Sequence, residues 1–405
     1  MFKKNLINKL LITLLLALAI GFFVSRAMVS IAMIAIFVLA VYYQLNHKIT
    51  LYKGINAKTF FVFAGFYFLI LTCSLFSGQI NCFTEPLIAF APLLILPFAF
   101  QVFEFKIQFL KRWLNTINWI FIGGTFFVLM DMVYRQGFNS EKIIQLAHDS
   151  KNVSNIWGIH HNIVGFLAVY AIFYIAELLK RNRQPLLFLL LFLIVAIIHH
   201  LGLRFAIMAF YPLMLIYLLR LQIKRSTKIY SLLIGCFLLV GSFMFIPAFK
   251  ARYQNTKSDI ENVVTNRNPN FFSLNQRLIA NQIGFDIAKK NWLFGVGTCE
   301  IKQLVEQEYA RNSRLLIPEN RKFIHNQLIY GWATYGFFYV LGWLILFGFL
   351  IYKGIKDRSI LLEISLLFLM HQMVENTLEK QLMLMLLIYF TFLMPRGLES
   401  RKLKV

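Results

Sequence analysis

Acidic residues are scarce in this chain: 18 Asp and Glu stand against 41 Lys and Arg in 405 residues, a formal charge of +23. Such an excess suits a nucleic-acid binder when the cations cluster, because clustered Lys and Arg neutralise phosphates. Here they stand in small groups at the ends of apolar runs, with no basic groove or recognised module, so nucleic acid is excluded as a partner. Charged residues of both signs make up only 15% of the chain, while 59% is hydrophobic and the mean hydropathy is +0.65. A soluble protein is usually roughly 45–50% apolar, so this composition points to a membrane protein.

Cysteine is scarce too, and the four present have no metal or redox spacing. Cys73 and Cys236 fall inside apolar runs, and Cys82 and Cys299 in segments placed outside the membrane. A disulfide between the last two is open in an oxidising compartment; two free thiols is the preferred expectation. No H-E-x-x-H or comparable ligand set occurs, and the adjacent His160 and His161 would point in different directions from a helix, so the expectation is chemistry without metal or cofactor. Gly295 and Gly297 are a fragment of a phosphate-binding pattern, but no complete G-x-G-x-x-G or G-x-x-x-x-G-K-[ST] is present, and stopping a helix is their expected role. Lys3, Lys4 and Lys9 precede an apolar run as in a signal peptide. No small-residue cleavage site follows and a second apolar run starts after Ser25-Arg26, so a retained signal-anchor hairpin is expected.

A span needs about 20 mostly apolar residues. The hydropathy pattern predicts twelve, at about 9–24, 27–43, 59–76, 86–103, 113–132, 156–179, 185–201, 204–219, 229–247, 325–352, 359–376 and 380–394. The whole of 1–405 is then one integral membrane domain, all-α and polytopic, with a large loop at 248–324. Of the 41 cations, 23 fall in the termini and in the loops on the same side, whereas Arg26, Arg135, Lys142, Lys151, Arg204 and Lys380 are the six in short loops opposite. The positive-inside rule therefore places both termini in the cytoplasm and the large loop outside. The outer segment Tyr134–Asn155 carries no strong motif.

The large loop has helical order of its own. Ser273-Leu274-Asn275-Gln276 reads as a capping box, with Ser273 as the cap and Gln276 reaching back. Leu278, Ile279, Ile283, Ile287 and Trp292 recur at helical spacing up to the glycines, and Ile301, Leu304, Val305 and Tyr309 form one face of a second helix. Two such helices would roof a bundle.

Several side chains are candidates for chemistry. His325, at the junction of loop and span, can take and return a proton near neutral pH. Arg277 follows the capping box at a helix start, where a cation is disfavoured unless an anion is bound nearby. Arg204, in the short hairpin after His199-His200, cannot shed its charge at the edge of the hydrocarbon and needs water, a partner or a ligand. His371, Glu375 and Glu379, at i, i+4 and i+8, are expected on one helical face, able to orient the roof, pair with Arg204 or Arg277, or meet a substrate. Structural readings compete with each: a local cap for His325, a solvated Arg277, ion pairing for the acidic set.

The order of these features resembles the O-antigen ligase and polymerase superfamily of bacterial inner-membrane glycosyltransferases. The resemblance rests on Leu203-Arg204-Phe205, one large late loop, the strip from Asn275-Gln276-Arg277 through Phe294-Gly295-Val296-Gly297 to His325-Asn326, and Val374-Glu375-Asn376-Thr377-Leu378-Glu379. It implies a GT-C type helical fold in the inner membrane with a periplasmic loop. It further implies a glycan donor on undecaprenyl pyrophosphate, with Arg204 and Arg277 holding the pyrophosphate and His325 activating the acceptor hydroxyl in a metal-independent, inverting transfer. His161, Asn326, His371, Glu375 and Glu379 would support that site. The acceptor expected first is lipid A-core, with another lipid-linked glycan as the polymerase alternative. A polymerase is expected to carry two sizeable periplasmic loops with R-x10-G motifs, and Arg112 to Gly123, on the cytoplasmic edge, is the one such spacing here. A lipid-linked sugar flippase is the alternative from another class, although no internal repeat relates the two halves. A monomer embedded in lipid would suffice for any of these.

Overall fold

The computed structural model describes residues 2–47, 57–77, 83–103, 107–136, 159–181, 183–265, 268–311 and 316–394. Among these residues there is helix and turn and no strand. The helices are α1 (Phe2–Val24), α2 (Arg26–His47), α3 (Ala57–Phe76), α4 (Thr84–Ala89), α5 (Pro92–Val102), α6 (Ile107–Gln136), α7 (His161–Leu179), α8 (Pro185–His200), α9 (Arg204–Arg220) and α10 (Arg225–Phe245). They continue with α11 (Pro247–Thr265), α12 (Ser273–Lys290), α13 (Thr298–Arg311), α14 (Gln327–Tyr335), α15 (Phe337–Lys356), α16 (Leu361–Gln372) and α17 (Gln381–Phe392). Gly137, Asp149 and most of the expected outer segment 134–155 lie outside the described residues.

Among the described residues eight segments are long and apolar enough to cross a membrane: Leu6–Val24, Arg26–His47, Ala57–Phe76, Thr84–Val102, Trp113–Arg135, His161–Leu179, Arg225–Phe245 and Phe337–Lys356. Helices α8, α16 and α17 are apolar but shorter. The 12 residues of α16 or α17 reach about 18 Å at 1.5 Å per residue, short of a hydrocarbon core about 30 Å thick. The expected span 325–352 is two helices, α14 and α15, broken at Gly336, and the expected span 86–103 is divided between α4 and α5 ahead of Pro92.

The chain divides into two compact units. The first comprises residues 1–118, 259–361 and 372–405. In it α1 pairs with α2, α5 packs against α2, α3 and α17, and α3 also meets α15. Its centre is α17, where every residue from Leu382 to Phe392 is buried, as suits a helix apolar on all sides. The second unit comprises residues 119–258 and 362–371 and is centred on α7, against which α8 and α9 pack. Gly165 of α7 lets the Ala206 backbone come to van der Waals distance, 3.4 Å from where a Cβ would stand. Buried Glu363 is held by Arg220 at 2.7 Å, and Glu177 by Lys180 at 2.7 Å, so these two acids enter the interior of the unit with their cations.

Helix α10 shows what the outside must be. It is strongly apolar, yet only Gly235 and Ser242 are buried, and Leu233, Phe237, Met244 and Phe245 stand outward. Water would penalise that face at about 25 cal/mol per Å2, whereas lipid matches it. The chain is a polytopic helical membrane protein.

Candidate functional site

His325 lies in the first unit at the end of an extended strip, residues 321–326, directly before α14. Asn326 caps that helix: its Oδ1 accepts from the backbone N–H of Leu328 at 3.0 Å and of Ile329 at 3.1 Å. This is the role of Asn326 beside the histidine. A second segment, residues 373–380 after α16, is fastened to the strip. Asn376 Nδ2 donates to the Ile324 carbonyl at 2.7 Å, and the Leu378 N–H donates to Gln327 Oε1 at 2.8 Å. Gln327 in turn donates from Nε2 to Tyr339 Oη at 3.0 Å, which locks both segments to α15. His325 is thereby held on both sides while its side chain stays 29% exposed.

Glu375 is the acid that the second segment delivers. Its Oε2 lies 2.9 Å from Lys380 Nζ and 3.9 Å from His325 Nδ1. The latter is an ion-pair distance and too long for a hydrogen bond. The expectation that His371, Glu375 and Glu379 share a helical face is incorrect: α16 ends at Gln372, and both acids stand on the non-helical segment. The helix stops there because backbone and side chains beyond it are committed to residues 324–327.

Glu379 occupies a different environment. Its Oε1 is buried without a hydrogen-bond partner, while the carboxyl meets the Tyr330 hydroxyl. Burial, with the nearby Glu85 adding to it, pushes the Glu379 carboxyl up to about 8 despite Tyr330 and Lys302 pulling the other way. The folded protein therefore keeps a proton that the unfolded chain releases near about pH 4. That contribution to stability is complete below about pH 4 and is lost as pH rises toward about 8. Glu379→Gln, which imitates the protonated acid, is expected to melt a few degrees higher than the parent at pH 8 and together with it at pH 4. Melting curves in detergent at the two pH values test this, and a gap that does not vary with pH would remove Glu379 as the source.

Arg277 lies on α12, in the same unit, half-buried. The helix starts at Ser273 with Phe272 at the cap position and no side-chain cap, so the expected capping box does not form. Gln276 turns instead to the preceding 3-10 turn, Pro269–Phe271, where its Nε2 donates to the Asn270 carbonyl at 2.8 Å. No acidic residue stands in the first turn of α12, and Arg277 forms no ion pair among the described residues. On the inner face of α12 are Ala280, Ile283, Gly284, Ile287 and Ala288, whereas Leu278 and Trp292 are exposed, so the apolar stripe lies partly elsewhere than their spacing suggested. On α13 the expected face is present, with Ile301, Val305 and Tyr309 buried.

The glycine turn caps a helix and binds no phosphate by its backbone. The N–H groups of Val296 and Gly297 donate, each at 2.9 Å, to the carbonyls of Ala333 and Thr334 at the end of α14, and Gly295 N–H donates to Asn291. These donors satisfy the carbonyls a helix end leaves unpaired, so none is free for an anion. The exchange is reciprocal, because Phe337 N–H donates to Trp292 O at 2.8 Å and Trp332 Nε1 to the same carbonyl at 3.1 Å. Gly336, at φ 79°, is where the chain turns between α14 and α15, and a Cβ there would collide with the Leu293 carbonyl. Phe294 stacks on Phe76 of α3 with centroids 5.1 Å apart, and a Cβ on Gly297 would stand 2.8 Å from Ser77 Oγ.

Cys299, two residues on, is disulfide-bonded, while Cys73 and Cys236 are free. This corrects the expectation of two free thiols, since Cys299 is bonded to another cysteine. Cys82 lies outside the described residues.

The remaining candidates belong to the second unit. Arg204 is the first residue of α9, after the Leu201–Leu203 turn, with no side-chain cap ahead of it. His161 opens α7, its ring 4.1 Å from that of His160, which accepts from the Asn162 N–H. His371 is fully buried and meets Phe166 and Phe205 edge to face, at 5.8 and 5.0 Å. Among the described residues no three His, Cys, Asp or Glu side chains converge as metal ligands would.

Reasoning from the sequence did not single out Gln327, Gly336, Tyr339 or Lys380. A glycine midway through a long apolar run was the available signal for Gly336; the other three are placed by contacts distant in sequence. No curated protein matches the chain. Residues 187–347, which contain Arg204, Arg277 and His325, match the family model described as O-Antigen ligase, so over that stretch the chain is similar to that family.

Proposed function

We propose that the chain transfers a glycan from undecaprenyl pyrophosphate to lipid A-core at the periplasmic face of the inner membrane, by inversion and without a metal. The observation that carries the reading is His325, a partly exposed imidazole beside a buried carboxylate, on a strip hydrogen-bonded on both sides of it and inside the stretch that matches the O-antigen ligase model. In the transfer an acceptor hydroxyl attacks the anomeric carbon of the donor sugar. The new C–O bond forms as the bond to the pyrophosphate oxygen breaks, His325 takes the hydroxyl proton, and the lipid pyrophosphate departs with the electron pair. Developing charge on the leaving group calls for fixed cations, and Arg277, a cation without a carboxylate partner among the described residues, suits that task. The same role is proposed for Arg204 from its place in the motif order, by sequence alone. The periplasmic orientation agrees with the disulfide at Cys299, since such bonds persist on the oxidising side of the membrane.

Reconstitution with an undecaprenyl pyrophosphate glycan and separate acceptors tests the reading. Transfer to lipid A-core is expected; transfer to a second lipid-linked glycan would make it a polymerase, and donor translocation without transfer would make it a flippase. Arg277→Lys and Arg204→Lys are each expected to weaken donor use about tenfold or more, because an ammonium cannot reproduce the planar fork of donors. Donor KM and turnover equal to the parent's would defeat those assignments.

A further inference from the structure

We propose that Lys380, acting through Glu375, is a positioning residue that sets the charge and tautomer of His325. Glu375 is 6% exposed, and a carboxylate so buried needs a cation to remain ionised. Lys380 Nζ supplies it at 2.9 Å, on the same Oε2 that lies 3.9 Å from His325 Nδ1. One oxygen therefore faces two nitrogens, an ammonium and an imidazole nitrogen, the second of which charges only when the ring takes a proton.

The geometry is fixed by the backbone. Lys380 is the residue ahead of α17, Glu375 lies five positions earlier, and the segment between them is bonded to the strip on both sides of His325, at Ile324 through Asn376 and at Gln327 through Leu378. Two charges near in sequence have partners of their own: Arg321 of the strip pairs with Glu306 of α13, and Glu379 meets Tyr330 of α14. A carboxylate facing Nδ1 favours the tautomer with its proton there, which leaves the Nε2 lone pair to accept from a hydroxyl. Once Nε2 is protonated, the same carboxylate stabilises the imidazolium. Lys380 moderates that pull, because its ammonium shares the same carboxylate oxygen.

This predicts opposite effects for the two partners. The charge and tautomer effects stand on the geometry, while their consequence for rate rests on His325 as the base. Histidine-labelled full-length protein in lipid bilayers, with His325→Gln to assign the signal, reports the charge and tautomer of His325 by nitrogen NMR. At pH 7 the charged fraction is expected to rise in Lys380→Met, where the imidazole becomes the cation that the buried carboxylate needs, to fall in Glu375→Gln, and in the double variant to match Glu375→Gln; a fall in Lys380→Met would mean that Glu375 takes the proton instead and would overturn the inference. Lys380→Arg, which restores the cation, is expected to match the parent and controls for folding. In transfer assays Lys380→Met is expected to lose at least about tenfold at pH 7 and to recover as pH is raised, whereas Glu375→Gln stays slow throughout with donor KM unchanged. His325 signals that coincide across all five proteins would overturn the inference. If the signals move as expected but the parent transfers no glycan, the coupling stands and the role of His325 as base falls.

Discussion

His325→Ala is expected to abolish glycan transfer while donor binding largely survives. A positioned general base contributes about 100- to 10,000-fold, so the residual rate falls to the floor of most assays. The variant leaves the fastening of the strip intact, because Ile324 and Gln327 carry those bonds. Its melting temperature is expected to stay close to the parent's, which separates lost chemistry from lost structure. Turnover within a few-fold of the parent would take the histidine out of the mechanism, whatever the family match.

Gly336→Ala is expected to have the largest effect on stability. A non-glycine residue at φ 79° and ψ −168° costs about 1–3 kcal/mol, and a methyl driven into the Leu293 carbonyl adds about 1–3 kcal/mol of overpacking. The backbone must shift, and with it go the bonds from Phe337 N–H to Trp292 and Leu293 that tie the α14–α15 corner to the glycine turn. Because α14 begins directly after His325, activity is expected to fall with stability. Gly241→Ala is the matched control, since a Cβ there meets nothing within 4 Å on the outward α10. Parent-like melting of Gly336→Ala in detergent would mean that the corner is not held as described.

The parts legible from sequence were those set by local periodicity. The helices of the bundle, the Ile301–Val305–Tyr309 face of α13 and the position of His325 at the meeting of loop and helix all follow from apolar spacing and its interruption. The corner at Gly336 was not legible because the surrounding run is apolar throughout and the break is imposed by Leu293, more than 40 positions away. Glu375 and Glu379 were misplaced onto a helix for a similar reason: Met373 and Val374 continue the apolar pattern, and what ends α16 is a set of hydrogen bonds to residues about 50 positions earlier. Ser273 and Gln276 satisfy the spacing of a capping box, but the 3-10 turn ahead offers Gln276 a carbonyl that competes with the helix for its amide.

The fastening of residues 373–380 to the strip has a practical side for anyone who exchanges parts between such proteins. The stretch that matches the ligase model ends at residue 347, yet the carboxylate and the lysine beside His325 come from beyond it. A chimera cut at that boundary would import a histidine and leave behind the groups that govern it. Grafts in this fold should travel with both segments, so that the smallest transferable module runs through α17 and its seam lies in the chain after it.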